Sequence, residues 1–414
     1  MPEWTPKQRA AIQARNRSIL VSAAAGSGKT TVLIERIMAL LREGVGIEHM
    51  LVVTFTRAAA SEMRERLQRV LTEEARSNKA LKAQRDRLGT ADISTLHQFC
   101  IKLIRRHFQA VGTDPMAGVG DEGFLKSLLD RALSEEMEAL YEQPDEDGSR
   151  LIDQYTDVQI EEMVRKLYIF LRAQEDPWAW LDHHLEQADR VEFPGLPWFS
   201  ELRAAALREA EEAVSLTLRC LYITRQPAGP ARYDSAAQAD MEIAREVRDM
   251  LARAEDIPPD WPVNFVRLTT SKAPAEESEE LRERFKALRQ AAKDCLNTAL
   301  SLLPRGDAQT QKAADDIRYT LPALRALCAL TKRTHERYGE YKSARQLWDY
   351  SDLEHLARAC LKYPAARARE QAHYKALFVD EYQDISRIQE AIIRRLHGED
   401  SSLFMVGDVK QSIY

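Results

Sequence analysis

Short apolar runs alternate with longer amphipathic stretches near both ends of the chain. Four of the runs have the length and the unbroken apolar character of buried β-strands. They span residues 19–22, 50–54, 376–379 and 403–406. Runs of this kind are typical of strands that are covered on both faces of a sheet.

Amphipathic segments follow the first two strand-like runs. One begins at Lys29 and continues as TTVLIERIMALL, and residues 58–71 show a similar spacing of apolar positions. Both patterns predict helices with one buried face. Strands that alternate with helices in this way predict an α/β fold, in which a parallel sheet carries helices on both faces.

The character of the chain changes between residues 116 and 344. Strand-like runs largely disappear, and charged amphipathic segments such as residues 277–303 predominate. Turn-rich breaks occur at residues 143–148, 194–197, 226–230 and 258–262. The sequence has no repeat of fixed period, which argues against a solenoid. We therefore expect a mostly α-helical insertion at residues 116–344, within an α/β domain formed by residues 1–115 and 345–414.

The composition is that of an ordinary globular protein, with 414 residues of which 44% are hydrophobic and 30% charged. No apolar run approaches the roughly 20 residues needed to span a bilayer. The start MPEWTPKQ lacks the features of a secretory signal, so we expect a cytoplasmic protein. The five cysteines are scattered without the spacing of a zinc site, and we expect reduced thiols that mostly serve in packing.

The net charge of -6 hides an asymmetry along the chain. Residues 1–110 contain 19 Lys+Arg against 10 Asp+Glu, a net of +9, and the remainder contains 40 against 55, a net of -15. This distribution predicts a phosphate-binding face on an otherwise acidic protein. A chance bias among solvated helix faces is the alternative.

The turn after the first strand-like run has the spacing of a phosphate-binding loop, with alanine in place of the usual first glycine. Small residues let backbone N–H groups approach phosphate oxygens, and the following helix presents its positive end. Lys29 adds a mobile charge, and Thr30 is placed to bind Mg²⁺. An incidental Gly-Ser turn is the alternative. The residues predicted to bind ATP in this loop are Ala23, Ala24, Ala25, Gly26, Ser27, Gly28, Lys29 and Thr30.

Two adjacent carboxylates, Asp380 and Glu381, end the third strand-like run. Because the chain turns at the end of a strand, both acids can face a metal site beside the phosphates. Asp380 is predicted to hold Mg²⁺, directly or through water, and Glu381 to orient the attacking water and accept its proton. A solvated strand end is the alternative, and the presence of the phosphate loop makes it much weaker.

Six short motifs occur in order along the chain. They are TPKQ at 5–8, AAAGSGKT at 23–30, TFTRAAA at 54–60, STLHQF at 94–99, VDEYQD at 379–384 and VGDVKQSIY at 406–414. The series resembles the ordered motifs of superfamily 1A DNA helicases, the group that contains UvrD and RecB. The wording of the first and last long motifs, with WDYSDL at 348–353, is most similar to AddA-type subunits of AddAB helicase-nucleases. The resemblance implies a RecA-like P-loop NTPase motor domain (1A) with a 1B-like insertion.

The resemblance also implies roles for residues outside the phosphate loop. Gln8 matches the glutamine whose amide reads adenine, although a surface glutamine is the common alternative. Smaller helicases of the group carry an arginine that stacks on adenine where this chain has Thr31, so stacking must come from elsewhere or ATP selectivity is looser. Gln411 matches the glutamine that touches both the γ-phosphate and the DNA-binding elements.

Several matched positions belong to motifs that contact single-stranded DNA. Hydroxyls, helix N-termini and a cation suit phosphate contacts, and aromatic rings offer platforms for sugars or bases. A core or capping role is the alternative for the histidine, and a core role for the last tyrosine. The predicted DNA-binding residues are Thr54, Phe55, Thr56, Arg57, Thr95, His97 and Tyr414.

The resemblance implies an ATP-dependent DNA helicase with nuclease activity that processes double-strand-break ends for recombinational repair together with an AddB-type partner. A UvrD-type repair helicase without a nuclease and a non-motor ATP-binding regulatory module are the rival hypotheses. The chain stops directly after QSIY, so we expect an N-terminal portion that lacks a second motor domain and a nuclease domain. Such a portion is expected to hydrolyse ATP poorly, because arginines from a second domain can contribute about 10³ to 10⁵ in rate.

Overall fold

The computed structural model of the protein describes residues 4–15, 18–22, 28–190, 197–253, 264–304 and 306–408. Its β-strands are β1 Ser18–Ser22, β2 Met50–Thr54, β3 Asp92–Thr95, β4 Gly118–Val119, β5 Leu347–Trp348, β6 Ala376–Val379 and β7 Ser402–Gly407. Its α-helices up to residue 190 are α1 Pro6–Gln13, α2 Lys29–Arg42, α3 Arg57–Glu74, α4 Lys79–Arg87, α5 Leu96–Val111, α6 Glu122–Glu142, α7 Glu146–Gln154, α8 Asp157–Arg172 and α9 Pro177–Arg190. Those that follow are α10 Pro197–Thr224, α11 Asp234–Ala252, α12 Glu279–Ser301, α13 Gly306–Ser343, α14 Tyr350–Lys362, α15 Pro364–His373 and α16 Arg387–Leu396. Short 3₁₀ turns lie at Ile47–His49, Leu88–Thr90, Ala231–Tyr233 and Tyr382–Asp384.

The main sheet has five parallel strands in the order β1-β7-β6-β2-β3. All four predicted strands lie in it, within a residue of their predicted limits, so the α/β prediction with a parallel sheet is confirmed. In register, Ser22 lies opposite Gly407 and Val53 lies opposite Val379. Because the strands are parallel, their carboxyl ends lie along one edge of the sheet, which we call the carboxyl edge.

Side chains that alternate along the strands build two cores, one on each face of the sheet. Val52 and Phe378 pack with α2, α3 and α4 on one face. Their neighbours Leu51 and Leu377 pack with α5, α14 and α16 on the other. Full burial of such a side chain contributes about 1.5 to 3 kcal/mol. The two cores account for the unbroken apolar runs and confirm the prediction of helices on both faces.

One strand of the main sheet was missed by the apolar pattern. Strand β3 forms an edge of the sheet and pairs with β2 over four positions. Its polar residues Asp92 and Ser94 interrupt the apolar run that would have marked it. The Asp92 carboxylate accepts hydrogen bonds from the Tyr374 hydroxyl at 2.6 Å and from Lys102 Nζ at 2.6 Å. These long-range donors explain why a charged residue is tolerated in this strand.

The chain divides into two compact units. The first comprises residues 1–145, 155–181 and 327–414 and contains the main sheet, and the second comprises residues 146–154 and 182–326. The part of the second unit that the structure describes is helical, with a core between α10, α11 and α12. The helix predicted at residues 277–303 is α12. The predicted breaks at 194–197 and 258–262 fall largely outside the described residues. The motor-domain boundaries at residues 116 and 344 stay a prediction.

The helices also bear on the question of membrane insertion. None of those that the structure describes is both long enough and apolar enough to cross a bilayer.

Candidate functional site

Four of the sequence motifs meet at the carboxyl edge of the sheet. Strand β1 ends at Ser22, β2 ends at Thr54, β6 ends at Val379 and β7 ends at Gly407. The segments that leave these strands carry the predicted functional residues. The edge is therefore where parallel topology gathers side chains from distant parts of the sequence.

The predicted phosphate loop is described only from Gly28 onward, since Ala23, Ala24, Ala25, Gly26 and Ser27 lie outside the described residues. Gly28 precedes α2 with a φ of +82°, in the left-handed region. A residue with a Cβ is strained in that conformation. The glycine therefore lets the chain turn sharply into the N-terminus of α2, where backbone N–H groups lack intrahelical partners.

Lys29 is the first residue of α2, and its side chain is only 10% exposed. Within the described part of the chain, its Nζ has no hydrogen-bond partner. The carboxylate that it faces is Glu381, whose Oε2 lies 3.8 Å away. A buried ammonium without an acceptor is costly. This position is therefore suited to an anion, and the residues present fit the phosphate groups of a nucleotide.

Asp380 and Glu381 follow β6 directly, as predicted. The Asp380 N–H donates to the Val53 carbonyl at 2.9 Å, which fixes the turn against β2. Asp380 Oδ1 accepts from the Glu381 N–H at 3.1 Å. Burial, and next the charge of Glu381, raise the pKa of the Asp380 carboxyl above its ordinary value. A bound divalent cation would relieve both effects, so the pair fits the predicted metal site.

Glu381 has an unusual backbone conformation for a residue other than glycine. Its φ is +52° and its ψ is 46°, in the left-handed region, and its side chain is 39% exposed. Strain of this kind persists only where surrounding contacts hold it. One such contact is the hydrogen bond from Gln383 Nε2 to Glu381 Oε2, at 2.8 Å. The carboxylate is thus held toward Lys29 by contacts with its surroundings.

Gln8 lies beside the start of α2. Its Oε1 accepts from the Thr5 N–H at 3.0 Å and from the Thr5 hydroxyl at 3.1 Å, which completes a capping box at the start of α1. A Cβ placed on Gly28 would lie 3.8 Å from Gln8 Nε2. The structure therefore brings the amide next to the phosphate loop while its oxygen serves the cap. Thr31, at the position of the absent stacking arginine, is exposed.

Helix α1 is held against α2 by a buried arginine that the motif comparison did not single out. Arg36 is fully buried, and its Nη1 donates to the Ala11 carbonyl at 2.6 Å and to the Ile12 carbonyl at 3.4 Å. Its guanidinium lies 4.8 Å from the centre of the Phe404 ring. Burial, and next the charge of Arg15, lower the pKa of Arg36 to about 10. Arg36 therefore fixes the position of the helix that carries Gln8.

The segment after β2 presents three of its four predicted DNA-contact residues to solvent. Phe55 is 59% exposed, and Thr56 and Arg57 are exposed as well. Thr56 accepts from the Ala59 N–H at 3.0 Å and caps α3. Thr54 is buried, and its hydroxyl donates to the Thr56 carbonyl at 3.0 Å. Thr54 therefore shapes the turn, and the other three side chains form its accessible surface.

The segment after β3 places Thr95 and His97 at the same edge. Thr95 is buried and caps α5. His97 Nε2 lies 3.0 Å from Glu354 Oε1, an oxygen that also accepts from Gln389 Nε2 at 2.6 Å. The His97 ring lies 4.7 Å, between centroids, from the ring of Tyr350. His97 is thus half-buried and held by α14 and α16, with an aromatic neighbour.

Three of these supporting residues were not given roles by the sequence alone. Glu354, Gln389 and Tyr350 lie more than 250 positions from His97, and no spacing rule connects them to it. Tyr350 belongs to the WDYSDL segment, whose wording carries the family resemblance but no assigned role. Gln383 lies within the VDEYQD motif, but its partners could not be identified from the motif.

Two predicted residues, Gln411 and Tyr414, lie outside the described residues. Asp408 is the last described residue before them and is buried. Among the described residues there is no cluster of three or more His, Cys, Asp or Glu that could form a metal site by itself. All five cysteines are free thiols, and four of them are buried, as the packing prediction required.

Comparison with known proteins gives one family and a consistent set of relatives. The family described as the UvrD/REP helicase N-terminal domain matches residues 4–414. The chain is 34% identical over 430 residues to the AddA subunit of the ATP-dependent helicase/nuclease of Alkaliphilus oremlandii, with 100% of this chain and 35% of the relative covered. It is 35% identical over 443 residues to the protein of the same name from Bacillus licheniformis, with 99% of this chain and 35% of the relative covered. The chain thus spans about a third of the length of these curated relatives.

Proposed function

Because the chain belongs to the UvrD/REP helicase family, we propose that it is the ATP-binding motor portion of an ATP-dependent DNA helicase. The observation that carries the proposal is the buried Nζ of Lys29, which has no hydrogen-bond partner in the described part of the chain and lies 3.8 Å from Glu381 Oε2. A cation and a carboxylate so placed at the carboxyl edge suit phosphoryl transfer to water. In this proposal, residues 1–115 and 345–414 form the motor domain and residues 116–344 the 1B-like insertion.

Each residue at the edge has a distinct part in the proposed reaction. Lys29 binds the β- and γ-phosphates together with the N–H groups of the phosphate loop. Thr30 and Asp380 are the residues that would hold Mg²⁺, which when bound neutralises charge on the phosphates. Glu381 orients the attacking water and accepts its proton. Gln411 is assigned the contact to the γ-phosphate on the strength of its motif.

The adenine end of the nucleotide is assigned to Gln8. Its amide lies beside Gly28, and its oxygen already accepts from Thr5, so its Nε2 is the group that we assign to the base. Arg36 supports this arrangement because it fixes α1 through the carbonyls of its last turn. With Thr31 in place of a stacking arginine, selectivity for adenine depends more on this single amide.

The single-stranded DNA track is assigned to the segments that follow β2 and β3. Exposed Phe55 offers a platform for a sugar or base, and Thr56 and Arg57 offer a hydroxyl and a cation for phosphates. Thr95 and His97 extend the same edge, and we add Tyr350 because its ring lies against His97. Tyr414 keeps its assignment from the motif. Hydrolysis would then drive stepping along this track.

For the natural protein, we propose the role of the AddA-type subunit in a helicase-nuclease that processes DNA ends with an AddB-type partner. The support is the 34% identity, across the whole chain, to relatives named as AddA subunits of the ATP-dependent helicase/nuclease. A UvrD-type helicase without a nuclease would unwind linear duplex DNA without degrading it. A regulatory ATP-binding module would bind ATP and do neither. Assays of unwinding and degradation on one substrate therefore separate the three functions.

A substitution at Lys29 tests the proposed ATP site. We expect Lys29→Ala to weaken binding of a fluorescent ATP analogue in the presence of Mg²⁺ by about 100-fold, or about 2.7 kcal/mol, because the buried cation that meets the phosphates is lost. Lys166→Ala is the matched control, since the Lys166 side chain is 75% exposed and pairs with Glu162 along its own helix. Equal affinity of the Lys29→Ala and wild-type proteins would refute the site.

A further inference from the structure

We propose that Gln383 is a positioning residue that holds the Glu381 carboxylate and links it to the end of strand β7. This inference rests on the proposed function of Glu381 and adds a residue to which no motif role has been given. Gln383 lies in the 3₁₀ turn Tyr382–Asp384, directly after the two acids. Its side-chain amide is engaged at both ends.

The amide nitrogen of Gln383 binds two carboxylates. Nε2 donates to Glu381 Oε2 at 2.8 Å and to Asp384 Oδ2 at 3.1 Å. Glu381 Oε2 is also the oxygen that lies 3.8 Å from Lys29 Nζ. Among the described residues, these contacts of Glu381 fall on the same oxygen, so Oε1 is the oxygen offered to a water molecule. Gln383 thereby sets the direction in which the second oxygen points.

The amide oxygen of Gln383 connects the same side chain to β7. Oε1 accepts from the Asp408 N–H at 2.9 Å, immediately after the last residue of the strand. Asp408 is buried, and the chain continues from it to Gln411, three residues later in the sequence. A change in the position of this strand end would therefore move the donor that orients Glu381.

Gly407 provides the space for this connection. A Cβ at Gly407 would lie 2.8 Å from Gln383 Oε1 and 3.3 Å from the Gln383 backbone nitrogen, distances at which one group has to move. Glycine thus allows the amide to lie directly against the strand. The strained left-handed backbone of Glu381 is consistent with a carboxylate that is held in place from both sides.

The geometry predicts that the two ends of the amide act as one connection. DNA bound at the carboxyl edge would shift the end of β7, and Gln383 would transmit that shift to the group that activates water. Loss of the connection should then lower the rate of hydrolysis and its stimulation by DNA, while the affinity for ATP stays the same.

The test uses the natural protein and measures KM for ATP, kcat, and the stimulation of kcat by single-stranded DNA. Gln383→Leu should lower kcat by about 10- to 100-fold with little change in KM, because a misplaced catalytic group can cost this much in rate. Gly407→Ala should lower the stimulation by DNA in the same way, although it leaves Gln383 in place. Gln371→Leu is the matched control, since Gln371 Nε2 donates to the Arg395 carbonyl at 2.8 Å in another part of the same unit.

Wild-type kcat and wild-type stimulation in Gln383→Leu would overturn the inference, and so would a change confined to KM. If Gln383→Leu fails to fold, Gln383→Glu decides the matter, because the ionised glutamate keeps the size of glutamine but cannot donate to Glu381. Lys29→Ala is measured in parallel. If the wild-type protein and Lys29→Ala are equally inactive, the proposed function itself fails. If only Lys29→Ala is inactive, the loss is confined to the inference about Gln383.

Discussion

Two cations of helix α2 show how burial separates a supporting residue from a candidate binding residue. Arg36 is fully buried, and its Nη1 has backbone carbonyls to bind. Lys29 Nζ has no such partner in the described part of the chain and faces a carboxylate 3.8 Å away. Since an unpaired buried charge is costly, the lysine is stable in this position when an anion completes its surroundings. A nucleotide phosphate meets that requirement.

Gln8 supports a prediction about base selectivity. We expect Gln8→Ala to reduce the preference for ATP over GTP, because the amide that we assign to adenine is lost and Thr31 offers no stacking arginine. The substitution should also lower the free energy of unfolding by about 1 kcal/mol, since it removes half of a capping box. Competition of each nucleotide against a fluorescent ATP analogue measures the preference.

Gln13→Ala is the control for this experiment. Gln13 ends the same helix and is exposed, so its substitution should leave both the preference and the capping box intact. If Gln8→Ala and Gln13→Ala retain the same ratio of affinities, Gln8 does not read the base.

At the scale of the element, α2 is bounded by glycines in the left-handed region at both ends. Gly28 precedes the helix with a φ of +82°, and Gly44 follows it with a φ of +93°. Alanine at either position should lower the free energy of unfolding by about 1 to 2 kcal/mol, because a Cβ is disfavoured at such φ values. Thermal or chemical unfolding of the two variants measures this loss.

The two glycines should nevertheless differ in their effect on nucleotide binding. Gly28→Ala should weaken ATP binding, since it alters the entry to the helix N-terminus beside Gln8 and Lys29. Gly44→Ala should bind ATP as the wild-type protein does, because nothing lies within 4 Å of the added Cβ and the site is at the other end. Equal losses of affinity in both variants would attribute the effect to general destabilisation.

At the scale of the whole molecule, the compact unit that contains the sheet also contains a cavity of about 560 Å³ lined by buried charges. Lys342 Nζ lies 2.7 Å from Asp349 Oδ2, and Arg172 Nη2 lies 3.0 Å from Asp352 Oδ1. Helix α14 is capped by the first of these aspartates. The network packs α13 and α14 in the unit that positions His97.

This cavity gives a prediction about acid stability. Burial, and next the charge of Arg172, lower the pKa of His355 to about 3 and that of His335 to about 4, below the ordinary value of 6.5. The unfolded chain therefore binds these protons at a higher pH than the folded chain. The free energy of unfolding should fall as the pH drops below about 6.5, by at most about 1.4 kcal/mol per pH unit for each histidine.

Denaturant titrations at pH 7, 6 and 5 would measure this dependence. His355→Gln removes one titrating ring but keeps a donor for the Arg172 carbonyl, which His355 Nε2 contacts at 3.1 Å. Its unfolding free energy should depend less steeply on pH than that of the wild-type protein. Parallel curves for the two proteins would show that His355 is not responsible.

Periodicity located most of the sheet but not the polar parts that complete it. The run at residues 376–379 marks a strand because each of its side chains is buried in a core. Strand β3 could not be found in this way, since Asp92 is stabilised by Tyr374, which lies 282 positions away. The partners of His97 and of Gln383 escaped for the same reason. Donors and acceptors from distant segments leave no local pattern.

The sequence by itself determined the class of fold, the order of the motifs and the chemical types of the proposed site, because apolar periodicity and motif spacing are local properties of the chain. Only the tertiary structure decided that Lys29 Nζ is buried near Glu381, that Gln383 joins Glu381 to Asp408, and that Arg36 holds the helix of Gln8. These relations arise where parallel strands end at one edge, and they depend on distances across the sheet. Spacing along the chain does not specify such distances.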